Sequence, residues 1–325
     1  MSGDALSDVL RAVRLEGAVF YDVHARSPWA AAAPPAREMA PHVLPGAEHV
    51  IEYHLVAAGK CWGNIDGETP VLLEEGDLVV FPQGDPHVLA SEPTRLAKDA
   101  PVNRMQRPIG EQLPVVIRGG GSGAAVHLVC GFIGCDARPF NPLLATLPPM
   151  IHMRGGGGLL EHLMRAAVTE SSERRSGGET VLARLSELLF VEIVRRYVTT
   201  LAPEQTGWLA GLRDVFVGRA LALLHDRPAH DWSLDELASS VGLSRSGLAE
   251  RFTHLVGAPP IQYLAKWRMQ LAASLLAGGT ASVAEAAAAV GYGSEAAFSR
   301  AFKKLVGVPP AAWRDARRHG PDKAQ

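Results

Sequence analysis

The chain has 325 residues, of which 47% are hydrophobic and 20% charged, a composition that excludes an intrinsically disordered protein and fits about two globular domains. It shows neither an 18-residue apolar run nor a secretory leader pattern, so we expect a soluble cytoplasmic protein with no membrane partner. The formal net charge of −2 is uneven, because residues 1–211 carry 18 basic against 24 acidic side chains and residues 212–325 carry 14 against 10, which favours a polyanion partner for the C-terminal part.

Residues 15–135 alternate short β-branched and aromatic runs with turn residues, a pattern typical of a β-sandwich or a small β-barrel. Residues 92–123 interrupt this pattern with Pro, Gly and charge, and they predict a long mobile loop. The four glycines at 155–158 fit poorly inside a helix or strand, so we place a domain boundary there.

Two strand-like segments carry candidate metal-ligating side chains. Alternation in "EYHLVAAGKC" places Glu52 and His54 on one strand face, and "GDLVVFPQGDPH" ends at His87. We predict that Glu52, His54, Cys61 and His87 bind an effector, and that His54, His87 and Cys61 are the metal ligands if the effector is zinc or another divalent ion. A histidine bonded inside a barrel wall and a contact to an organic effector stay open as alternatives, so no cofactor is certain.

The three cysteines, Cys61, Cys130 and Cys135, form no CxxC pair and no even framework, as expected in a reducing compartment. Cys130 and Cys135 flank "GFIG" near the end of the β region, and one hypothesis makes them an oxidant-sensing pair. The alternative is that both thiols are inert in an apolar strand.

From residue 159 the apolar period becomes helical. The segment "GGETVLARLSELLFVEIVRRYVTTL" has apolar residues on more than one face, which predicts a helix covered on two sides. One cover would be the β domain and the other the same helix of a second subunit, giving a homodimer. A helix covered entirely within one chain is the alternative.

An internal repeat occupies the last hundred residues. "LSRSGLAERFTHLVGAPP" and "GSEAAFSRAFKKLVGVPP" match at an offset of 50 residues. Each copy follows a short amphipathic segment that begins with a capping-box pattern, Ser233 with Glu236 and Ser282 with Glu285. A glycine and then a serine separate the two segments of each copy, so we predict two helix-turn-helix units.

The second helix of each unit has a core face and an exposed face. The predicted core residues are Leu248, Phe252 and Leu255 in the first unit and Phe298, Phe302 and Leu305 in the second. The exposed face predicts base contacts in the major groove, where arginine bonds guanine and glutamate accepts from cytosine. The predicted base-contacting residues are Arg245, Ser246 and Glu250 in the first unit, and Glu295, Ala296, Ser299 and Arg300 in the second.

Further basic residues are assigned to phosphates, which position the protein without specifying sequence. These are Arg251, Lys303 and Lys304, together with Arg268 on the helix that connects the two units. That connecting helix, "PPIQYLAKWRMQLAASLLAGG", has Leu264, Trp267, Leu271 and Leu275 on an apolar stripe and would hold the two units at a fixed separation.

These motifs, their connector and both "VGxPP" tails resemble the double helix-turn-helix domain of AraC/XylS-type transcription regulators, over about residues 213–318. The resemblance implies double-stranded promoter DNA and RNA polymerase as partners, and an unidentified small effector bound by the other domain. Glu250 and Ala297 stand where more obvious DNA contacts occur in the family, so base preference is not carried over.

The β region resembles the cupin-type sensor domain of the same family, because Gly76, Pro82, Gly84 and His87 satisfy the second cupin motif. The first motif is partial: Glu52 and Gly59 are present, but the preceding His-x-His is absent. We therefore predict an α+β chain with a cupin-like β-barrel over 1–154, a helical dimerisation segment over 155–211 and an all-α DNA-binding domain over 212–325.

The predicted function is DNA-binding transcription regulation, as activator or repressor, without enzyme activity. The alternative from another class is a metal-dependent cupin enzyme of the dioxygenase type with an appended helical domain. The missing His-x-His and the duplicated DNA-binding module argue against that alternative. A nucleoid or interaction protein without an effector is disfavoured by the barrel motif.

Overall fold

The computed structural model describes residues 4–65, 67–94, 113–279 and 281–319. The chain divides into two compact units. The first, here called the β unit, comprises Leu15–Cys135 and Leu147–Tyr197. The second, here called the helical unit, comprises the residues up to Arg14, Asp136–Thr146 and those from Val198 onward.

The described residues of the β unit form two sheets. Its six-stranded sheet has the order β10-β6-β3-β9-β1-β8, and its four-stranded sheet has the order β2-β7-β4-β5. The strands are β1 (Glu16–Arg26), β2 (Ala30–Ala33), β3 (His49–Ala58), β4 (Lys60–Ile65), β5 (Val71–Glu74), β6 (Leu78–Phe81), β7 (His87–Ala90), β8 (Val115–Gly120), β9 (Ala125–Cys135) and β10 (Ile151–Met153).

The core of the β unit lies between the two sheets, since alternate residues of each strand point inward. On β9 the inward residues are Val126, Leu128, Cys130 and Phe132. Pairing of β3 with β9 places His54 opposite Cys130, so His54 shares this inward face.

The described helices of the β unit are α2 (Ala36–Val43), α3 (Gly158–Glu173) and most of α4 (Gly178–Thr200), whose residues from Val198 onward are assigned to the helical unit. The predicted long middle helix is confirmed as α4, which buries Leu182, Leu189, Phe190 and Ile193. Ser186 of α4 and Tyr53 of β3 form a hydrogen bond between their hydroxyl groups, whose oxygens are 2.6 Å apart. This bond fixes α4 to the outer face of the six-stranded sheet.

The prediction of a loop over residues 92–123 is wrong for 115–120, which form β8 and pair in parallel with β1. The strand pattern is weak at these residues because β8 is an exposed edge strand that ends in two glycines. Residues 95–112 of the same predicted loop lie outside the described residues.

The helical unit begins with α1 (Ala5–Ala12) and continues after the β unit. Its other helices are α5 (Trp208–Arg213), α6 (Val215–Asp226), α7 (Leu234–Val241), α8 (Arg245–Val256), α9 (Pro260–Ala277), α10 (Val283–Ala289), α11 (Glu295–Val306) and α12 (Pro310–His319). None of the helices in the described ranges is both long and apolar enough to cross a lipid bilayer.

Packing in the helical unit differs from two details of the predicted pattern. Leu305 is 43% exposed and Leu275 is 42% exposed, so neither is a core residue. Met269, Ala272 and Leu276 of α9 are buried instead, because the helix turns a different side to the second helix-turn-helix unit. The predicted domain boundaries remain a prediction, although the compact units assign residues 136–146 to the helical unit and 155–197 to the β unit.

Candidate functional sites

The two predicted helix-turn-helix units are present in the helical unit. In the first, α7 ends at Gly242, whose φ of 85° is left-handed, and Ser244 caps α8 by accepting from the amide of Gly247. In the second, α10 is followed by Gly291, and Ser294 caps α11 by accepting from the amide of Ala297. Local sequence thus determines both turns.

The capping boxes are confirmed in part. Ser282 and Glu285 form the complete reciprocal pair at the start of α10. At α7, Ser233 accepts from the amide of Glu236, but the Glu236 carboxylate accepts from His230 at 2.8 Å instead of reaching back.

The predicted base-contacting residues lie on α8 and α11, away from the buried Phe252 and Phe298. Six of them are exposed and one, Ser299, is half-buried; the exposed ones are Arg245, Ser246, Glu250, Glu295, Ala296 and Arg300. The two faces differ in charge, because Glu250, Thr253 and His254 of α8 correspond to Arg300, Lys303 and Lys304 of α11. The second unit therefore presents the more basic surface.

Two of the residues predicted to contact phosphate are held by other groups. Arg251 donates from Nε to Asp214 Oδ2 at 2.8 Å, and Asp214 is also the N-cap of α6. Arg268 donates to the carbonyl oxygens of Pro228 at 2.6 Å and His230 at 2.8 Å. Lys303 and Lys304 are exposed. The DNA contacts of all four remain predictions.

In the β unit, three of the four predicted effector residues converge. Glu52, His54 and His87, here called the barrel cluster, place their ligand atoms within 4.8 Å of one another. His54 Nε2 lies 2.8 Å from His87 Nε2, and His87 Nε2 lies 3.8 Å from Glu52 Oε2. Glu52 is 1% and His87 is 3% exposed.

Hydrogen bonds define how the two imidazoles are arranged. His87 Nδ1 lies 3.0 Å from the carbonyl oxygen of Asp85, so this nitrogen donates and His87 Nε2 carries a lone pair. His54 Nε2 is then the donor to His87, which leaves His54 Nδ1 as an acceptor. The ring of Phe81 stacks on His87 with centroids 3.6 Å apart and fixes its orientation.

Burial disfavours the charged form of all three side chains. It raises the pKa of Glu52 well above its usual value and lowers the pKa of His54 well below its own, where the neighbouring His87 adds to the effect. Burial also lowers the pKa of His87 to about 4, and the hydrogen bond to the Asp85 carbonyl, which raises this pKa, offsets only part of the effect. Glu52 Oε1 and His54 Nδ1 are buried without a hydrogen-bond partner in the described part of the chain.

This donor set fits a divalent metal ion. Two neutral imidazoles and a carboxylate are ligands that zinc and similar ions prefer, and the Asp85 carbonyl supplies the outer bond that usually orients a metal-ligating histidine. A bound cation would also satisfy the unpartnered carboxylate oxygen and favour the charged form of Glu52.

Cys61 does not join this cluster, so the predicted metal set is corrected. Among the described residues, the carboxylate of Glu52 completes the group with His54 and His87. Cys61 is buried on β4 in the other sheet, and burial raises the pKa of its thiol to about 12. A neutral thiol in the core is a poor metal ligand.

Cys130 and Cys135 are not brought together. They stand five residues apart on the same strand, β9, so their side chains point to opposite faces of the sheet. Both thiols are buried, and burial raises the pKa of Cys130 above its ordinary value. This geometry corrects the hypothesis that the two thiols form a pair, since a disulfide needs α-carbons about 4.4–6.8 Å apart.

Sequence reasoning missed a second cluster, Asp22, His24 and His127, which lies in the β unit on β1 and β9. The i, i+2 spacing of Asp22 and His24 was a signal that could have found two of its members. It also missed Gln270, a buried polar residue of α9.

Comparison with known proteins agrees with both units. A family model described as cupin matches residues 4–199, and one described as helix-turn-helix domain matches residues 237–316. The chain is 35% identical over 272 residues to an AraC-like transcription regulator of Streptomyces lividans, covering 82% of this chain and 88% of that protein. It is 32% identical over 315 residues to one of Streptomyces antibioticus, covering 96% and 98%.

A solved structure of the DNA-binding domain of AdpA in complex with a target DNA is 30% identical, covers 32% of this chain and 94% of that chain, and has a TM-score of 0.31. The class defined by the fold and the family models is a cupin domain joined to a helix-turn-helix domain. The chain belongs to the AraC-like transcription regulators and is a DNA-binding transcription regulator. The predicted family and α+β architecture are confirmed.

Proposed function

We propose that this transcription regulator is controlled by a ligand bound at the barrel cluster, and that the ligand is a divalent metal ion such as zinc. The observation that carries the proposal is a buried carboxylate oxygen, Glu52 Oε1, without a partner beside two converging imidazoles. A buried polar atom without a partner is costly, so a ligand that satisfies it binds with a clear advantage.

Packing around the cluster favours an ion over an organic effector. Phe81 is fully buried and stacks on His87, and Glu52 is 1% exposed, so the cluster is enclosed by side chains. When bound, the ion would supply positive charge to Glu52, His54 and His87. Binding, without turnover of a substrate, is the role we assign to the β unit.

At the DNA, the exposed faces of α8 and α11 read bases and the basic residues at the end of α11 contact phosphates. Two copies associate through α4, and the DNA-bound dimer acts on RNA polymerase in the cytoplasm. The dimer is supported by Val181 and Leu188 of α4, which are 46% and 52% exposed. They lie seven residues apart, so they share one face of the helix.

The test uses the untagged full-length protein purified without chelators. Elemental analysis and native mass spectrometry report metal content and oligomeric state together. Fluorescence anisotropy then measures affinity for a site selected from random DNA, before and after metal removal. We expect metal in the wild type, and a change of at least about tenfold in DNA affinity when the metal is removed, equivalent to a coupling of about 1.4 kcal/mol.

Two variants make the test specific. His87→Gln should lose the metal of the barrel cluster, and its affinity for DNA should no longer change when metal is added or removed. His162→Gln, which changes an exposed histidine of α3 in the same unit, should behave as the wild type. DNA affinity that is the same with and without metal would contradict control by a metal at this cluster.

A further inference from the structure

The Asp22, His24 and His127 group, here called the outer cluster, lies on the opposite face of the six-stranded sheet from the barrel cluster. On β1, Tyr21 and Ala25 point into the core, so Asp22 and His24 point outward. On β9, His127 alternates with inward residues in the same way. The two clusters are therefore separated by the sheet itself.

The geometry of the outer cluster is convergent. His24 and His127 are direct cross-strand neighbours, and their rings stack with centroids 4.2 Å apart at an interplanar angle of 11°. His127 Nε2 lies 2.6 Å and His24 Nε2 lies 3.2 Å from the same oxygen, Asp22 Oδ1. The three ligand atoms lie within 4.8 Å of one another. Ligand atoms in a tetrahedral zinc site are roughly 3.3 Å apart, from zinc–nitrogen bonds of about 2.0 Å.

A second bond orients the carboxylate. Asp22 is 3% exposed, and its other oxygen, Oδ2, accepts from the hydroxyl of Ser171 on α3 at 3.4 Å. Because Oδ2 bonds Ser171, Oδ1 remains directed at the two imidazoles. Partners of this kind are typical of metal-ligating carboxylates, which need a fixed orientation.

The cluster is also accessible. The side chain of His24 is 38% exposed and that of His127 is 17% exposed. Asp22 and His24 line an open groove together with Arg118 and Arg174. An ion can enter from this groove, and a coordination position facing it stays available to water or an added ligand.

We propose that the outer cluster binds a divalent transition metal ion of the zinc class, with Asp22 Oδ1, His24 Nε2 and His127 Nε2 as its protein ligands. Two imidazoles and one carboxylate select such ions over magnesium and calcium, which prefer oxygen ligands. The competing explanation is a hydrogen-bond network that only fastens α3 to the sheet. The proposal does not rest on metal binding at the barrel cluster.

Arg118 provides an independent handle on the site. It lies opposite His24 in the pairing of β1 with β8, is exposed, and lines the groove beside the cluster. Its positive charge opposes a bound cation. Arg118→Ala should therefore tighten metal binding without removing a ligand, whereas a network of hydrogen bonds alone would give no metal affinity to tighten.

The experiment uses full-length protein stripped with a chelator and desalted, then titrated with Zn²⁺ in competition with a chromophoric chelator. The variants of the outer cluster are compared in the His87→Gln background, so that zinc at the barrel cluster does not contribute, and a chain that carries His24→Gln alone is titrated beside them. We expect one zinc ion per chain in that background. Adding His127→Gln or His24→Gln should weaken its binding at least about 100-fold, because each removes one of three protein ligands. Adding Arg118→Ala should strengthen it several-fold.

The outcomes separate the two sites. Zinc binding in the His87→Gln background that is unchanged by His24→Gln and by His127→Gln would overturn the proposal, and so would the absence of zinc in that background. Loss of zinc from His87→Gln with retention in His24→Gln would support the barrel cluster alone. Thermal unfolding without metal tests whether the His127→Gln chain is folded. If it is not folded, the Arg118→Ala variant tests the proposal, and zinc binding to that variant that is unchanged or weaker overturns it.

Discussion

Gln270 donates its side-chain amide to the carbonyl oxygen of Ala12 at 3.2 Å, although the two residues are 258 positions apart in the chain. The same side chain accepts from the amide of Phe140 at 3.0 Å and is 1% exposed. One glutamine of α9 thereby fastens the end of α1 and the 136–146 segment. Both segments belong structurally to the helical unit, although they lie within residues 4–199, which match the cupin family.

The first prediction concerns this glutamine. Gln270→Ala leaves the buried carbonyl of Ala12 and the partly buried amide of Phe140 without this partner, and it should lower the free energy of unfolding of the helical unit by about 2 kcal/mol. Chemical denaturation followed by tryptophan fluorescence measures the change. Gln262→Ala, at an exposed position of the same helix, is the matched control and should be nearly neutral. Equal effects of the two variants would mean that the Gln270 bonds contribute nothing to stability.

The second prediction concerns base reading. Arg245→Ala and Arg300→Ala should each cost about 1–3 kcal/mol at the specific site while changing nonspecific binding far less. Lys303→Ala should weaken binding to all DNA and reduce the slope of log affinity against log salt by about 1. Binding isotherms on specific and scrambled DNA at several salt concentrations measure both effects. Uniform losses for Arg245→Ala on every sequence would reassign that residue to phosphate contact.

Arg245 and Arg251 differ in how firmly a neighbouring aspartate holds the side chain. Arg245 donates to Asp235 at 3.2 Å, but each side chain is 66% exposed, so this pair is weak and can be exchanged for a DNA contact at little cost. Arg251 differs, because Asp214 holds it from a more buried position. Arg251→Ala should therefore affect the start of α6 as well as DNA affinity, and it is a poor probe of phosphate contact alone.

The third prediction concerns α4. Leu188→Glu should convert a dimer into a monomer, because it places a charge at the centre of the apolar face that we assign to the interface. Leu159→Glu on α3 is a matched control, since both leucines are 52% exposed. Light scattering after size-exclusion chromatography measures the mass of each variant. A Leu188→Glu chain with the wild-type mass would exclude this face as the interface.

Local signals in the sequence predicted the helical unit well. Serine caps, left-handed glycines and an apolar i, i+3, i+4 period act within one turn of chain, so both helix-turn-helix units could be placed to the residue. The barrel cluster was predicted in part, because strand alternation brings Glu52 and His54 to one face. The choice of Glu52 over Cys61 depended on which sheet β4 joins, which no local pattern specifies.

Long-range relationships account for most of what the sequence did not predict. The outer cluster forms only if β1 and β9 pair in one particular register. Asp22 and His127, which are hydrogen-bonded in this cluster, are 105 positions apart in the sequence. Gln270 appeared as an ordinary polar residue of a helix, since its partners come from distant segments. The edge strand β8 was missed because an exposed strand lacks an apolar face.

The fourth prediction uses the duplicated turn glycines as a matched pair. Gly242 and Gly291 have similar left-handed φ angles of 85° and 81°. A β-carbon at Gly242 would meet no atom of the described residues within 4 Å, whereas one at Gly291 would lie 2.3 Å from the carbonyl oxygen of Ala229. Gly242→Ala should cost about 1 kcal/mol for the backbone conformation alone, and Gly291→Ala should cost clearly more because the backbone must move. Similar thermal unfolding of the two variants would contradict the close approach at Gly291.

The fifth prediction concerns a buried histidine of the helical unit. His225 lies 2.7 Å from the hydroxyl of Tyr263 through Nε2, and its Nδ1 is 3.9 Å from a carboxylate oxygen of Asp8. Burial lowers the pKa of His225 from 6.5 to about 3. Between these values the unfolded chain binds a proton that the folded chain does not, so stability should fall as the pH decreases below 6.5.

From about pH 7.5 to about pH 5 this group should remove about 2 kcal/mol of stability, since each pH unit below the unfolded pKa contributes about 1.4 kcal/mol. His225→Gln keeps an amide that can bond Tyr263 but cannot titrate, so its stability should depend less on pH by that amount. Denaturant unfolding of both proteins at the two pH values, followed by the fluorescence of Trp208 and Trp267, measures the difference. Parallel stability curves for the wild type and His225→Gln would show that His225 is protonated equally in the folded and unfolded chains.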